Sequence, residues 1–158
     1  MRWQEVCEDP RLNDLPYKIE LNEYGKIVMS PQKVYLSIFQ GKIANLLRQL
    51  QNIGEVFPEC AIYTDKGTKV ADVVWVSEER YNVIKNEVEC SVAPEICVEI
   101  ASGSNTQKEM EEKRALYFAQ GAREFWLCHE NGDIRFFDNN NQLSSSVLVP
   151  DFPNKINL

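Results

Sequence analysis

Two nearly continuous apolar runs, each interrupted by acids, constrain the fold of this chain more than any other feature. Residues 70–76 read VADVVWV, with Asp72 as the one polar side chain, and residues 94–101 read PEICVEIA, in which Glu99 lies between β-branched neighbours. Runs of this kind predict strands that are covered on both faces of a sheet. Because a buried, unpaired carboxylate is strongly disfavoured, each acid is expected to have a partner.

The remaining segments supply the helices and outer strands that such a sheet needs. Residues 17–29 predict a hairpin around an Asn/Gly turn. Residues 33–51 and 107–120 predict helices, the first because its apolar side chains recur at helical spacing and Gly54 follows its end. Shorter segments complete the pattern, namely a helix beginning at Glu78 and strands over 60–63, 124–128, 133–137 and 146–149. This order predicts an α/β fold, a mixed β-sheet flanked by helices.

Length and composition predict one domain over residues 1–158, in which residues 1–16 form an N-terminal extension. The charged N-terminus lacks the apolar segment of a secretory signal, and no uncharged run approaches the roughly 20 residues of a membrane-spanning helix. The five cysteines form no CxxC pair, which is typical of free thiols. We therefore predict a cytoplasmic protein without a membrane partner.

The two acids of the apolar runs are predicted to share a metal ion. Each lies near the end of its strand, and Glu99 precedes a polar loop at residues 102–106. Carboxylate oxygens suit Mg²⁺ or Mn²⁺, and such an ion would be the partner that burial of these side chains requires. For Asp72 the alternative is an exposed edge position or an ion pair with Lys69 or Arg80. For Glu99 it is a solvent-facing strand position.

Three further charged residues are interpreted on weaker grounds. Lys113 lies on the apolar face of the helix over 107–120 and can point into a site. Alternatively, it covers the edge of the core or pairs with Glu109. Glu20, in the predicted hairpin, is either a site residue or an ordinary outward-facing acid. Glu95 directly follows a proline and is expected to lie in solvent at the start of its strand.

Taken together, these segments resemble a known family. They read KIEL…GKIVMSP, VADVVWVS, APEICVEIASGSNT and EEKRALYFAQGAREFWL, and with the closing VPDFP they extend over residues 17–158. Their order and spacing are similar to the Uma-two family, a large bacterial family classed with restriction endonucleases in the PD-(D/E)XK nuclease superfamily. The resemblance implies a restriction-endonuclease-like fold and a metal-dependent endonuclease activity.

The resemblance also implies a catalytic set, which consists of Glu20, Asp72, Glu99 and Lys113. Asp72 and Glu99 would bind one or two Mg²⁺ or Mn²⁺ ions, with a main-chain carbonyl near Ile100 as a further ligand. Lys113 would orient the attacking water or stabilise charge at phosphorus. Glu20 would complete the surroundings of the metal.

The chain departs from the family pattern at two positions. The superfamily lysine lies two residues after the glutamate, where this chain has Ala101, so the resemblance implies that Lys113 takes over its function. Many relatives have a histidine at the start of the first long helix, where this chain has Leu36. The single histidine, His129, is interpreted as incidental.

Nucleic acid is the predicted partner, DNA rather than RNA, and a homodimer is expected from the habit of the superfamily. The net charge of -7 is the main observation against general binding of nucleic acid. Three alternatives therefore stay open. They are a non-catalytic nuclease-fold module for binding or assembly, a metal-dependent hydrolase of a small phosphoester, and a serine nucleophile at Ser102 or Ser104.

Overall fold

The structure is a computed structural model that describes residues 1–103 and 105–158. A short helix α1 (Trp3–Glu8) and a 3-10 turn (Pro10–Leu12) precede a hairpin of β1 (Tyr17–Leu21) and β2 (Ile27–Pro31). The remaining helices are α2 (Val34–Leu50), α3 (Glu78–Ile84) and α4 (Gln107–Ala119). The remaining strands are β3 (Glu55–Ile62), β4 (Lys69–Val76), β5 (Ile96–Ile100), β6 (Glu124–Cys128), β7 (Ile134–Phe137) and β8 (Gln142–Leu143).

Strands β3 to β8 form one six-stranded sheet in the order of the sequence, and β1 pairs only with β2 in a separate two-stranded sheet. Neighbouring strands of the large sheet are antiparallel except β5 and β6, which are parallel. A parallel pair requires a crossover connection, and α4 provides it. The predicted α/β fold with a mixed sheet is confirmed.

Both faces of the large sheet are covered, which explains the apolar runs of β4 and β5. On one face Phe39, Ile43 and Leu47 of α2 belong to a buried cluster with Val98 and Trp126 of the sheet. On the other face, a second cluster includes Tyr117 of α4 together with residues of β4, β5 and β6, such as Val74, Cys97 and Phe125. Burial on both sides removes the polar alternation that a half-exposed strand would show.

Two expectations for the ends of the sheet are wrong. No strand forms over residues 146–149; β8 lies earlier, at Gln142–Leu143. The N–H groups of Val147 and Leu148 instead donate to the carboxylate of Glu124, so they are not available to a strand ladder. Strand β3 begins at Glu55 rather than at residue 60, and as the edge strand it tolerates Pro58.

The N-terminal residues predicted as an extension contain α1, a helix that had not been predicted. The single-domain span of residues 1–158 stays a prediction. Within the described part of the chain, none of the helices has both the length and the apolar character that crossing a bilayer demands.

Candidate active site

The site lies where β4 and β5 stop pairing. Their antiparallel ladder runs from Trp75 opposite Ile96 to Val73 opposite Val98, and it ends before Asp72 and Glu99. In place of the next ladder bond, Asp72 Oδ2 accepts the N–H of Ile100 at 2.7 Å. The apolar runs therefore place both carboxylates at the point where β4 and β5 separate.

A side chain from α2 forms a hydrogen bond with the main chain of Asp72. The β3–β4 ladder pairs Pro58 with Val73 and Cys60 with Ala71, and opposite Asp72 the residue Glu59 has a left-handed φ of 54°. At this irregular point Gln40 Nε2 donates to the carbonyl oxygen of Asp72 at 2.9 Å. Sequence analysis had not identified Gln40.

Lys18 of β1 lies between the carboxylates. Its Nζ is 3.1 Å from Asp72 Oδ1, 3.1 Å from Glu99 Oε1 and 3.9 Å from Glu20 Oε2. Lys18 had not been predicted as a site residue, although its spacing from Glu20 was a signal. Lys18 and Glu20 are two residues apart on β1, so their side chains emerge on the same face of the strand.

Lys113 of α4 completes the group of charges. Its Nζ lies 2.7 Å from Glu20 Oε2 and 3.1 Å from Glu99 Oε1, so the alternative pairing with Glu109 is not what the structure shows. One helical turn later, the hydroxyl of Tyr117 donates to Glu99 Oε2 at 2.8 Å. The glutamate, only 1% exposed, thus has partners on both oxygens.

Glu20 also fixes the hairpin against the large sheet. Its Oε2 accepts the N–H of Val70 at 2.7 Å, and the N–H of Leu21 donates to the carbonyl of Thr68 at 2.9 Å. Lys69 Nζ donates to the carbonyl of Leu21 at 2.9 Å. These contacts hold β1 beside the first residues of β4, and they explain how a hairpin outside the large sheet reaches its site.

The electrostatics of the cluster favour charged side chains. Burial would lower the pKa of Lys18, but the carboxylates of Asp72, Glu99 and Glu20 outweigh it and raise that pKa well above its usual range. Burial alone would raise the pKa of Glu20, yet Lys113 and Lys18 outweigh it and lower that pKa.

Glu99 differs from Glu20. Its burial is complete and outweighs the attraction of Lys113 and Lys18, so its pKa is raised. Glu99 is therefore harder to keep ionised than Glu20.

A cleft of about 210 Å³ is lined by the charged residues of the site, which are Lys18, Glu20, Asp72, Glu99 and Lys113. Leu36 of α2, which stands where many relatives have histidine, forms part of its wall together with Met110 and Leu116 of α4. Ser102 also lines it, whereas Ser104, the other candidate nucleophile, lies outside the described residues. His129 is not among the residues that line this cleft, and its interpretation as incidental stays a prediction.

The candidate ligands for a metal ion are the carboxylates of Asp72 and Glu99, which line the cleft. Within residues 1–103 and 105–158, no three His, Cys, Asp or Glu side chains are arranged to hold one ion. However, an oxygen of Asp72 and an oxygen of Glu99 lie at equal distances from a point that already carries a positive charge, the Lys18 ammonium. The chemistry of these hard oxygen donors fits Mg²⁺ or Mn²⁺. The metal roles of Asp72, Glu99 and Ile100 stay predictions.

A family model described as "Putative restriction endonuclease", that of the Uma2 family, matches residues 7–158. This chain belongs to the Uma2 family. The resemblance inferred from the sequence segments is thereby confirmed. No curated protein matches this Uma2 chain significantly.

A solved structure confirms the fold of this Uma2 member. It is the crystal structure of "a putative nuclease belonging to DUF820" from Anabaena variabilis ATCC 29413, which is 18% identical and has a TM-score of 0.69. The match covers 89% of this chain and 81% of that chain. At this level of identity the likeness shows the restriction-endonuclease-like fold.

The structure of this Uma2 protein brings together all four residues of the predicted catalytic set, which are Glu20, Asp72, Glu99 and Lys113. Asp72 pairs with neither Lys69 nor Arg80, because Lys69 binds a main-chain carbonyl and Arg80 contacts Glu95. Its strand β4 lies between β3 and β5, so Asp72 is not on an edge strand. Tyr117 was not among the predicted site residues. Its position four residues after Lys113 places it on the same helix face.

Proposed function

We propose that this Uma2 protein is a metal-dependent endonuclease that hydrolyses phosphodiester bonds in DNA. The observation that carries the proposal is the convergence of three carboxylates and a helix lysine at one cleft. The family description and the nuclease description of the Anabaena structure support the same class of reaction. The choice of DNA, a homodimeric state and a cytoplasmic location are parts of this proposal.

Mg²⁺ or Mn²⁺ held by Asp72 and Glu99, with the carbonyl of Ile100 as a further ligand, would supply a Lewis acid at the scissile phosphate. The reaction adds water to phosphorus and breaks one P–O ester bond, which leaves a phosphate monoester and a hydroxyl group. The protein's own side chains have four further tasks in this reaction.

Lys113 stabilises the negative charge that develops on the phosphoryl oxygens, because its ammonium lines the cleft. Glu20 positions that ammonium through the 2.7 Å contact. Tyr117 fixes the orientation of Glu99 through its hydroxyl. The apolar wall formed by Leu36, Met110 and Leu116 limits water around these charges and strengthens their interactions.

Nicking of supercoiled plasmid DNA tests the proposal. The wild type should nick DNA with Mg²⁺ or Mn²⁺ and stop when EDTA removes the ion. Asp72→Ala should lower the rate by about a thousandfold, because a loss of several kcal/mol at the transition state corresponds to factors of that size. Asp65→Ala, which removes an exposed aspartate from the β3–β4 connection, should leave the rate within about twofold. Equal cleavage by wild type and Asp72→Ala would reveal a contaminating nuclease and refute the proposal.

A second candidate is a non-catalytic nuclease-fold module. The observations that favour it are the net charge of -7 and Leu36 in the wall where relatives have histidine. Calorimetric titration with Mn²⁺ separates the two candidates. An enzyme shows binding that disappears in Asp72→Ala and Glu99→Gln, whereas a module without a metal site shows no binding that depends on these acids. A panel of small phosphoesters tests the remaining alternative, a hydrolase of small substrates.

A further inference from the structure

Lys18 occupies the place in this chain where a divalent ion would bind. We propose that Lys18 is the resident cation of the acid pair Asp72 and Glu99, and that a divalent ion binds only after the Lys18 side chain has moved away. The inference rests on the proposed function in one respect, because it takes these two acids as the metal ligands. It adds a residue that sets the affinity of the site for metal.

The distances support competition rather than coexistence. The Lys18 ammonium lies 3.1 Å from one oxygen of each acid and donates a hydrogen bond to both. Mg²⁺ binds oxygen at about 2.1 Å, so an ion shared by the same two oxygens on the side that Lys18 occupies would lie roughly 1 to 2 Å from the lysine nitrogen. Two positive charges so close together repel strongly in a site of low dielectric. The ion and the ammonium are therefore alternatives for one position.

The charge balance of the cluster leads to the same conclusion. Three carboxylates and two ammonium groups lie in mutual contact, which leaves one net negative charge. A divalent ion added with Lys18 still in place would reverse that sign in a buried site. Departure of Lys18 brings the net charge of the cluster to zero once the ion has bound. Binding of the ion without Lys18 therefore gives a neutral cluster, whereas the ion together with Lys18 leaves a net positive charge beside a buried glutamate.

The position of Lys18 in the fold allows its side chain to leave without unfolding. The residue lines the cleft, and its long side chain has four rotatable bonds. The strand that carries it stays anchored by the contacts of Glu20 with Val70 and of Leu21 with Thr68, which do not involve Lys18. The ammonium can therefore rotate toward the cleft opening while β1 stays in place.

Lys69 provides a matched contrast in the same cleft. It carries the same charge and lines the same walls, but its ammonium donates to the main-chain carbonyl of Leu21. Removing Lys69 changes the charge of the cleft by the same amount as removing Lys18. Only the removal of Lys18 vacates the position between Asp72 and Glu99.

The test is a titration of the apo protein with Mn²⁺, followed by calorimetry and by electron paramagnetic resonance of free Mn²⁺. Lys18→Met should bind Mn²⁺ at least about tenfold more tightly than the wild type, because a competing cation has been removed from the site. Lys69→Met should stay within about threefold of the wild type. Adding Asp72→Ala to Lys18→Met should abolish the gain. Equal or weaker binding by Lys18→Met, or an equal gain in Lys69→Met, would overturn the inference.

Two further measurements keep the inference open to refutation if Lys18→Met does not fold. Lys18→Gln retains a donor group for both carboxylates without the charge, and it should also gain affinity. In the wild type, acylation of lysines by an N-hydroxysuccinimide ester, read by mass spectrometry, should become several-fold faster at Lys18 when Mn²⁺ is added and should not change at Lys69. An unchanged or slower rate at Lys18 during Mn²⁺ binding contradicts displacement.

Failure of the inference and failure of the nuclease proposal give different results. Plasmid nicking with Mn²⁺, together with unchanged affinity in Lys18→Met, refutes only the role of Lys18. Tight binding by Lys18→Met without nicking by the wild type refutes only the nuclease proposal. Absence of Mn²⁺ binding in the wild type and in the folded Lys18 variants refutes both.

Discussion

Two glutamates on adjacent strands are buried to the same degree and have opposite surroundings. Glu99, near the end of β5, is 1% exposed, and Glu124, at the start of the parallel strand β6, is 2% exposed. They lie at opposite ends of this strand pair, Glu99 opposite Leu127 and Glu124 opposite Ile96. Glu99 contacts two ammonium groups and a hydroxyl, whereas the donors to Glu124 within the described residues are all neutral.

The difference between them lies in what each carboxylate holds in place. The oxygens of Glu124 accept from the indole of Trp126 at 2.8 Å, from the hydroxyl of Ser146 at 2.6 Å and from two main-chain N–H groups. This carboxylate organises an irregular segment and has fixed donors that no ligand needs to displace. Two of the three partners of Glu99 are lysines at the wall of a cleft, whose flexible side chains can exchange for a ligand. Burial of an acid therefore indicates that it has a partner, and the kind of partner indicates its role.

The largest expected effect comes from exchanging each of these two glutamates for glutamine. Glu99→Gln should lower kcat/KM for DNA nicking by about a thousandfold, because it removes a proposed metal ligand, while Glu124→Gln should leave it within about threefold. In urea unfolding the order reverses. Glu124→Gln should reduce the free energy of unfolding by about 3 kcal/mol, since it removes acceptors from buried donors. Glu99→Gln should reduce it by less.

The comparison fails if both substitutions change the nicking activity and the free energy of unfolding by the same amounts. Comparable loss of activity per folded molecule in Glu124→Gln would mean that the segment after β8 takes part in the reaction. A larger loss of stability in Glu99→Gln than in Glu124→Gln would mean that the cluster of charges around Glu99 mainly stabilises the fold.

The contrast between Glu99 and Glu124 also shows how much of the structure can be predicted from the sequence. Asp72 and Glu99 are conspicuous because they interrupt apolar runs, and the strands and helices that carry them follow from those runs and from helical periodicity. Glu124 escapes notice because an acid at the start of EFWLC resembles an ordinary solvent-facing strand end. For the same reason Val147 and Leu148 resemble a strand, although their N–H groups serve a side chain.

Lys18 shows the limit of such reasoning. A lysine on a hairpin strand is ordinary in sequence, and its two partners are 54 and 81 residues further along the chain. Only the folding of β1 against β4 brings them together. The alternation of β1 places Lys18 on the same face as Glu20, but it contains no information about these long-range contacts. Long-range ion pairs of this kind follow from the tertiary structure, whereas the need for a partner can be predicted from burial alone.

The next effect in size concerns Lys113, the helix partner of Glu99. Lys113→Met should lower the nicking rate by about a hundredfold, because it removes a cation proposed to stabilise the charge at phosphorus. Lys108→Met removes an exposed lysine from the same helix and should change the rate by less than about twofold. If both variants lose the same activity, Lys113 acts only through the net charge of the protein. Its contact with Glu99 would then not distinguish Glu99 from Glu124.

A smaller effect is expected for Tyr117, the hydroxyl partner of Glu99. Tyr117→Phe should lower the rate about tenfold and shift the acid limb of the pH–rate profile to higher pH. The sign follows from the charge involved: burial already raises the pKa of Glu99, and loss of a donor to the ionised carboxylate raises it further. Tyr63→Phe, at an exposed tyrosine outside the cleft, should leave the profile unchanged. A lower rate with an unshifted acid limb would show that the hydroxyl does not act through Glu99.

The smallest effect sharpens the comparison within one stretch of chain, because Glu95 lies four residues before Glu99. The expectation that Glu95 is in solvent is wrong: its carboxylate is buried, accepts the N–H of Ser77 at 3.0 Å and lies 3.6 Å from Arg80 Nε. Glu95→Gln should cost about 1 kcal/mol of unfolding free energy in urea and leave nicking unchanged, since Arg80 keeps its hydrogen bonds to two main-chain carbonyls. Glu79→Gln, an exposed acid of α3, should cost less than about 0.5 kcal/mol. Loss of nicking in Glu95→Gln would mean that a buried acid outside the cleft also controls the reaction. The kind of partner would then no longer distinguish an acid that stabilises the fold from an acid of the active site.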